Sequence, residues 1–266
     1  ASKIVLMFDD IPPKYNENNK SLENEGILHA ELANKLSKNL NEDIFVVPRV
    51  YCDELIDKKY TYLDDFNNSL NKHISIFYCG KKIISNTNKK NELKTIQKTT
   101  SNKIIFWDNL YANDYCPKKI FIGPYFGRSD FNNTMINPTG LIKTDLFILD
   151  LIFFTTLNNN IETAWMKNQK KHKIPEQFNI ISRYFFPINF NQEDYKQSYS
   201  YNEEIEALDF LLWKWKNPLS REWYQYMLNL KQDLQLLNGN LDINRMKKIF
   251  PVTLTEMLLK FKWREK

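Results

Sequence analysis

Two adjacent aspartates, Asp9 and Asp10, follow the apolar run "IVLMF" at 4–8 and precede a double proline at 12 and 13. Like charges this close resist joint ionisation, so the pair costs stability unless chemistry uses it. Polar and aromatic residues follow later apolar runs as well. They are Tyr51 in "VVPRVYC", Trp107, Asp108, Asn109, Asn113 and Asp114 in "WDNLYANDY", and Asn137 before Pro138. Rings pack the apolar face of a sugar while amides and carboxylates bind its hydroxyls, so this set suits a carbohydrate pocket. A second chemistry is open to it: Asp9, Asp10 and Asp114 are hard oxygen donors of the kind magnesium takes, although such a site has little use for Trp107 and Tyr51. A third reading is plainer. Adjacent aspartates can simply cap a turn, Asp114 and Asn137 can be turn residues, and Trp107 can be core.

The elements that must position these residues are short continuous apolar runs at 4–8, 44–47, 74–78, 104–107 and 134–136. Strands covered on both faces read this way, as in a parallel sheet. Helical patterns lie between them. The stretch 24–40 puts Ile27, Leu28, Leu32, Leu36 and Leu40 on one side at three- and four-residue steps, and further helices fit 62–71, 89–99 and 143–157. Strand–helix alternation predicts parallel βα units, in a barrel or a doubly wound sheet. Ligands then bind at the carboxyl ends of the strands, where the polar residues above fall. Beyond about residue 158 only helical periodicity remains, with Pro218 and Ser220 restarting one helix and Gly239 closing it. The expected division is 1–157 for the strand–helix part and 158–266 for a helical region, whose Trp213, Trp215, Trp223 and Trp263 are packing residues.

The chain has 266 residues and a net charge of +5, carried mostly by scattered lysines. Its densest basic run, "KNQKKHK" at 167–173, lacks interleaved arginines and aromatics and reads as a solvated helix end, so no nucleic-acid partner is expected. No run of eighteen apolar residues exists, so no membrane span is expected. Cys52, Cys79 and Cys116 are odd in number, widely spaced and without a histidine cluster. That pattern predicts reduced thiols, with no zinc site and no disulfide framework. His29 lies on the apolar side of its helix and reads as a satisfied core histidine, and Asp108, pointing away from Trp107, as structural.

The segments "FDDI", "VYC", "YCGKKIIS", "WDNLYANDYCPKKIFIGPYFGRS" and "INP", in this order and spacing, resemble the O-GlcNAcase family, glycoside hydrolase family 84. The resemblance covers roughly residues 4–157. It implies a (β/α)8 TIM-type barrel, represented here by about strands 4–8 and followed by a C-terminal α-helical region. It also implies removal of terminal β-linked N-acetylglucosamine with retention, through an oxazoline formed by the substrate's own acetamido group and with no cofactor or metal. Substrate-assisted enzymes of this kind need no enzymic nucleophile. One carboxylate steadies the acetamido group and the developing charge, and the other protonates the leaving oxygen and then deprotonates water. By resemblance Asp9 has the first role and Asp10 the second, their mutual repulsion helping to keep Asp10 protonated. Tyr51 resembles the tyrosine that binds the acetamido oxygen, Trp107 the pocket wall and Asn109 the amide lining it. Asp114 resembles the carboxylate that grips the outer hydroxyls, and Asn137 the amide assisting it. Cys79 and Lys81 stand where the family usually has threonine and proline.

In the family the paired aspartates end the fourth strand, which is where this chain begins. Five parallel barrel strands leave two unpaired edges and an uncovered interior. The expectation is therefore that another part of a longer chain, or a second chain, supplies the missing strands. The expected partner of the site is an N-acetylglucosamine-bearing glycan or glycoprotein. A sugar-binding fragment without turnover is the alternative to a complete enzyme.

Overall fold

The computed structural model describes residues 4–11, 24–85, 90–114, 116–125, 127–128, 133–158, 160–186 and 199–239. Pro12, Pro13, the helical pattern over 244–263 and Trp263 lie outside them. The chain forms two compact units, residues 1–110 with 127–137, and residues 111–126 with 138–266.

The first unit contains the strands β1 (Val5–Met7), β2 (Phe45–Val47), β3 (Ser75–Tyr78), β4 (Ile104–Asp108) and β5 (Thr134–Ile136). Their order in space is their order in sequence, and every pairing is parallel. A strand returning parallel to its neighbour needs a crossover. Here α1 (Glu25–Leu40), α2 (Tyr62–Ser69) and α3 (Lys94–Thr99) provide it after β1, β2 and β3, a 3-10 turn at Lys90–Leu93 leading into α3.

Alternation along the strands separates two apolar layers. Phe8, Val46, Ile76, Tyr78 and Phe106 join Ala30, Ala33, Leu63, Phe66 and Ile96 in the helix-covered layer. Val47, Phe77, Ile105 and Trp107 form a smaller layer with Cys52, Cys79 and Tyr51. At the two sheet edges Val5, Met7 and Met135 are exposed.

One expectation about α1 is corrected. Its apolar stripe is only partly covered: Leu28, Leu32 and Leu40 are exposed, Ile27 and Leu36 are half-buried with Leu36 against the core, and the fully buried residues are Glu25, Gly26, Ala30, Ala33 and Ser37. The reason is a close approach of α1 to α2. A Cβ on Gly26 would sit 2.3 Å from the Tyr62 carbonyl oxygen and 2.9 Å from the Phe66 nitrogen, too close for any side chain at this position.

The second unit is helical. It holds α4 (Ile142–Asn158), α5 (Ile161–Lys171), α6 (Phe178–Ile181), α7 (Tyr201–Trp213) and α8 (Pro218–Leu237). Helix α4, which the sequence pattern joins to the strands, packs here against α5 and α8. The Glu222 carboxylate of α8 accepts from the Lys143 and Thr144 backbone N–H groups at 3.0 and 2.8 Å, satisfying donors that the start of α4 leaves open. Asn217 and Ser220 form a capping box that starts α8 behind Pro218. Trp215 and Trp223 are buried as expected, but Trp213 is 57% exposed, touching Tyr224 edge-on. Along α4, Ile142, Leu146, Leu149, Phe153 and Leu157 are exposed while Phe147, Ile148 and Leu151 are buried. No helix among the described residues is long and apolar enough to cross a membrane.

Candidate active site

The carboxyl ends of β1 to β5 carry the polar residues of the first unit. After β1 the Ile11 N–H donates to the Phe8 carbonyl at 3.2 Å, so Asp9 and Asp10 are the central residues of a turn. That turn frees both side chains from the strand's alternation, which would otherwise send them to opposite faces. Asp9 is half-buried and Asp10 exposed. The preceding Phe8 is tied to β2 through its N–H on the Val47 carbonyl at 2.9 Å, and its ring stacks on His29 at 4.0 Å between centroids.

Beyond β2 the chain runs to Tyr51 and Cys52, and the Tyr51 carbonyl accepts from the Cys79 N–H at 2.8 Å at the end of β3. Tyr51 meets the Trp107 ring edge-on at 5.5 Å. Burial raises the Tyr51 hydroxyl's pKa, and the nearby sulfurs of Cys79 and Cys52 and the carboxylates of Asp9 and Asp10 raise it further. The hydroxyl therefore stays protonated and can donate. The same causes keep the thiols neutral. Cys52 is pushed up to about 12, chiefly by burial and then by Glu54, and Cys79 lies well above the usual range through burial, Cys52, Asp108 and Asp9. A neutral buried thiol is a poor nucleophile.

At the end of β4, Asn109 is buried. Its Nδ2 donates to the Ile83 carbonyl at 3.0 Å and to Cys79 Sγ at 3.3 Å, and its Oδ1 accepts from Asn137 Nδ2 at 3.1 Å. Asn137, after β5, is half-buried and also donates its backbone N–H to the Asp108 carbonyl at 2.9 Å. Asp108 itself is fully buried. Its Oδ2 accepts from Arg128 Nε at 2.6 Å, its Oδ1 accepts from the Leu110 N–H at 3.1 Å, and another Arg128 nitrogen reaches the Ser85 carbonyl at 2.6 Å.

The structure thus links Tyr51, Trp107, Asn109 and Asn137 by direct contacts or through Cys79, with Asp9 and Asp10 close enough to act on Tyr51 electrostatically. Asp114 is exposed and belongs to the second unit. Among the described residues no group of three or more His, Cys, Asp or Glu side chains is arranged to hold a metal ion. Sequence reasoning assigned no role to Arg128, and treated Cys79 only as a departure from pattern. Arg128 does lie in the quoted motif, but nothing local pairs it with a residue twenty positions earlier.

Three comparisons bear on this site. Residues 1–139 match the model of the beta-N-acetylglucosaminidase (NAGidase) family. Protein O-GlcNAcase of Rattus norvegicus and of Mus musculus are each 28% identical over 132 residues, covering 47% of this chain and 14% of theirs. The chain therefore spans about a seventh of the length of those curated relatives. The solved structure of CpGH84B aligns with a TM-score of 0.63 at 15% identity over 90% of this chain and 50% of that one, a likeness of fold. The strand-end residues described above all fall inside the matched 1–139, and that match spans more than half of the 266 residues, so the chain belongs to the beta-N-acetylglucosaminidase family, the glycoside hydrolase family 84 of the O-GlcNAcases.

Proposed function

We propose that this chain carries the greater part of a sugar site that removes terminal β-linked N-acetylglucosamine with retention, by substrate-assisted catalysis through an oxazoline. The observation that carries the reading is a paired carboxylate turn in electrostatic reach of Tyr51, at the same end of one parallel sheet as the linked Tyr51, Trp107, Asn109 and Asn137. In this reading Asp9 accepts the acetamido N–H and steadies the oxazoline's charge. Asp10, the more exposed of the two, meets the leaving oxygen and then the incoming water. Tyr51, held protonated, donates to the acetamido oxygen. Trp107 walls the acetamido group and Asn109 lines its pocket, while the grip on the outer hydroxyls, given to Asp114 with Asn137 assisting, rests on the family resemblance alone.

The five strands are, in the same proposal, the later strands of a (β/α)8 barrel. Support comes from the exposed Val5, Met7 and Met135 at the sheet edges, and from the exposed leucines of α1 and the apolar stripe of α4. Such surfaces are what neighbouring βα units cover in a closed barrel. The same exposed rim favours a second reading for the isolated 266 residues, a sugar-binding piece without turnover that gains activity when further strands complete it. The partner is a glycan or glycoprotein ending in N-acetylglucosamine.

The deciding experiment is hydrolysis of an aryl β-N-acetylglucosaminide by the complete protein, with proton NMR of the first-formed sugar anomer. Release of the β-anomer with activity insensitive to chelator is expected. Release of the α-anomer would sink substrate-assisted retention, and activity abolished by chelator would favour a magnesium hydrolase using Asp9, Asp10 and Asp114.

A further inference from the structure

An amide side chain has two hydrogens and two acceptor lone pairs. At Asn109 both hydrogens point inward, to the Ile83 carbonyl at 3.0 Å and to Cys79 Sγ at 3.3 Å, while its oxygen takes one hydrogen from Asn137 at 3.1 Å. What remains for a ligand is one lone pair on Asn109, together with the second hydrogen and the oxygen of Asn137. Resting on the glycosidase reading above, we propose that Cys79 is a positioning residue of the sugar site: its sulfur and the Ile83 carbonyl clamp the Asn109 amide so that it presents only an acceptor, and through Asn109 they set the rotation of Asn137. The group that meets Asn109 is therefore a donor and, with the sugar's one N–H taken by Asp9, a sugar hydroxyl.

Both clamps are themselves fixed. The Cys79 N–H is bonded to the Tyr51 carbonyl at 2.8 Å, and the Ile83 N–H donates to Glu54 Oε1 at 2.5 Å. Cys79 is almost fully buried, and its thiol stays neutral for the reasons given above, so its sulfur accepts as a thiol and carries no charge. Released from the sulfur, the Asn109 amide would keep one inward anchor and could turn, taking the hydrogen-bond partner of Asn137 with it.

The test uses the complete protein and an aryl β-N-acetylglucosaminide, with free N-acetylglucosamine as competitive inhibitor. Cys79→Ala removes the acceptor and leaves a small void, and Cys79→Val removes it and overfills the site by about a methyl group, so an effect shared by both is not one of size; Cys79→Ser restores an acceptor. Asn109 and Asn137 touch parts of the sugar whose charge does not change in the reaction, so the loss should appear in binding. KM and the inhibition constant should rise together by about fivefold in both the valine and alanine variants, the worth of one neutral hydrogen bond, with kcat within about twofold. The serine variant should recover most of that rise. Unchanged KM in the valine variant, an effect in alanine alone, a fall in kcat at constant KM, or serine no better than valine would each reduce Cys79 to packing and overturn the inference while leaving the glycosidase reading intact. A wild-type protein that neither hydrolyses the substrate nor binds N-acetylglucosamine would remove that reading, and this inference with it.

Discussion

Asp108 ends β4 and the pair Asp9–Asp10 follows β1, equivalent places in one parallel sheet, yet the fold treats their charges in opposite ways. Asp108 is 1% exposed and is neutralised by Arg128 at 2.6 Å, whose own exposure is 2%. Asp10 stands in water and Asp9 half out of it. A carboxylate taken fully from solvent needs a cation and hydrogen bonds, whereas one left at the rim keeps its proton exchange available. The first aspartate is spent on holding the β4 end, from which Asn109 projects. The second pair sits on a turn whose first residue, Phe8, stacks on His29. Position at a strand end therefore does not by itself set a carboxylate's surroundings: Asp108 is dry and paired, whereas Asp9 and Asp10 reach solvent and act electrostatically on Tyr51.

The sharpest way to break this contrast is to remove the buried cation. Arg128→Met should cost about 3–5 kcal/mol, because it leaves Asp108 charged and dry. Arg128→Met combined with Asp108→Asn should recover part of the loss. Urea unfolding reads both; a single variant as stable as the wild type would mean that Asp108 is not held by charge.

Next in size is the rim pair. Asp9→Ala should lower the rate on every N-acetylglucosaminide by about hundredfold or more, the usual consequence of deleting a transition-state electrostatic partner. Asp10→Ala should depend on the leaving group: a nitrophenyl glycoside needs little protonation and should keep part of its rate of oxazoline formation, with azide rescuing turnover. An alkyl glycoside should lose far more. If the leaving-group dependence followed Asp9 instead, the two roles would be exchanged.

How far such contrasts are legible in sequence depends on whether a local rule carries them. The five strands could be found because each is a short, mostly apolar run, and α8 because proline, serine and glycine mark its ends. The buried face of α1 could not, because its leucines are the louder signal and the packing uses Gly26, Ala30 and Ala33. Only the approach of α2 reveals that choice. Arg128 with Asp108, and Cys79 with Asn109, are pairs between distant segments, set by strand register, which no single stretch encodes. The α1 reading is itself testable. Gly26→Ala places a methyl against the Tyr62 carbonyl and should cost about 1–3 kcal/mol, typical of overpacking, although alanine favours helix elsewhere. A neutral or stabilising outcome in thermal unfolding would show that α1 and α2 are not held that close.

The smallest expected effect concerns the uncharged brace behind Asp9. His29 stacks on Phe8 with its ring planes 2° from parallel, and its Nδ1 lies 3.0 Å from the Tyr62 hydroxyl. Its pKa is held below the usual 6.5; burial is the largest cause, Glu25 opposes it, and Arg49 adds to it. The folded state therefore binds fewer protons than the unfolded chain as pH falls below 6.5, so unfolding takes up a proton there. The stability that neutral His29 provides is complete above pH 6.5 and is lost progressively as pH falls from 6.5 toward the lowered folded value. In urea unfolding between pH 7.5 and 5.5, the wild type should lose more stability than His29→Gln, which keeps a polar partner for Tyr62 but does not titrate. The nearby Arg49–Glu25 pair, joined at 2.7 Å, is common to both proteins and cancels in the difference. Equal slopes for the two proteins would mean that His29 takes up a proton as readily in the fold as in the unfolded chain, so that burial against Phe8 does not hold it neutral.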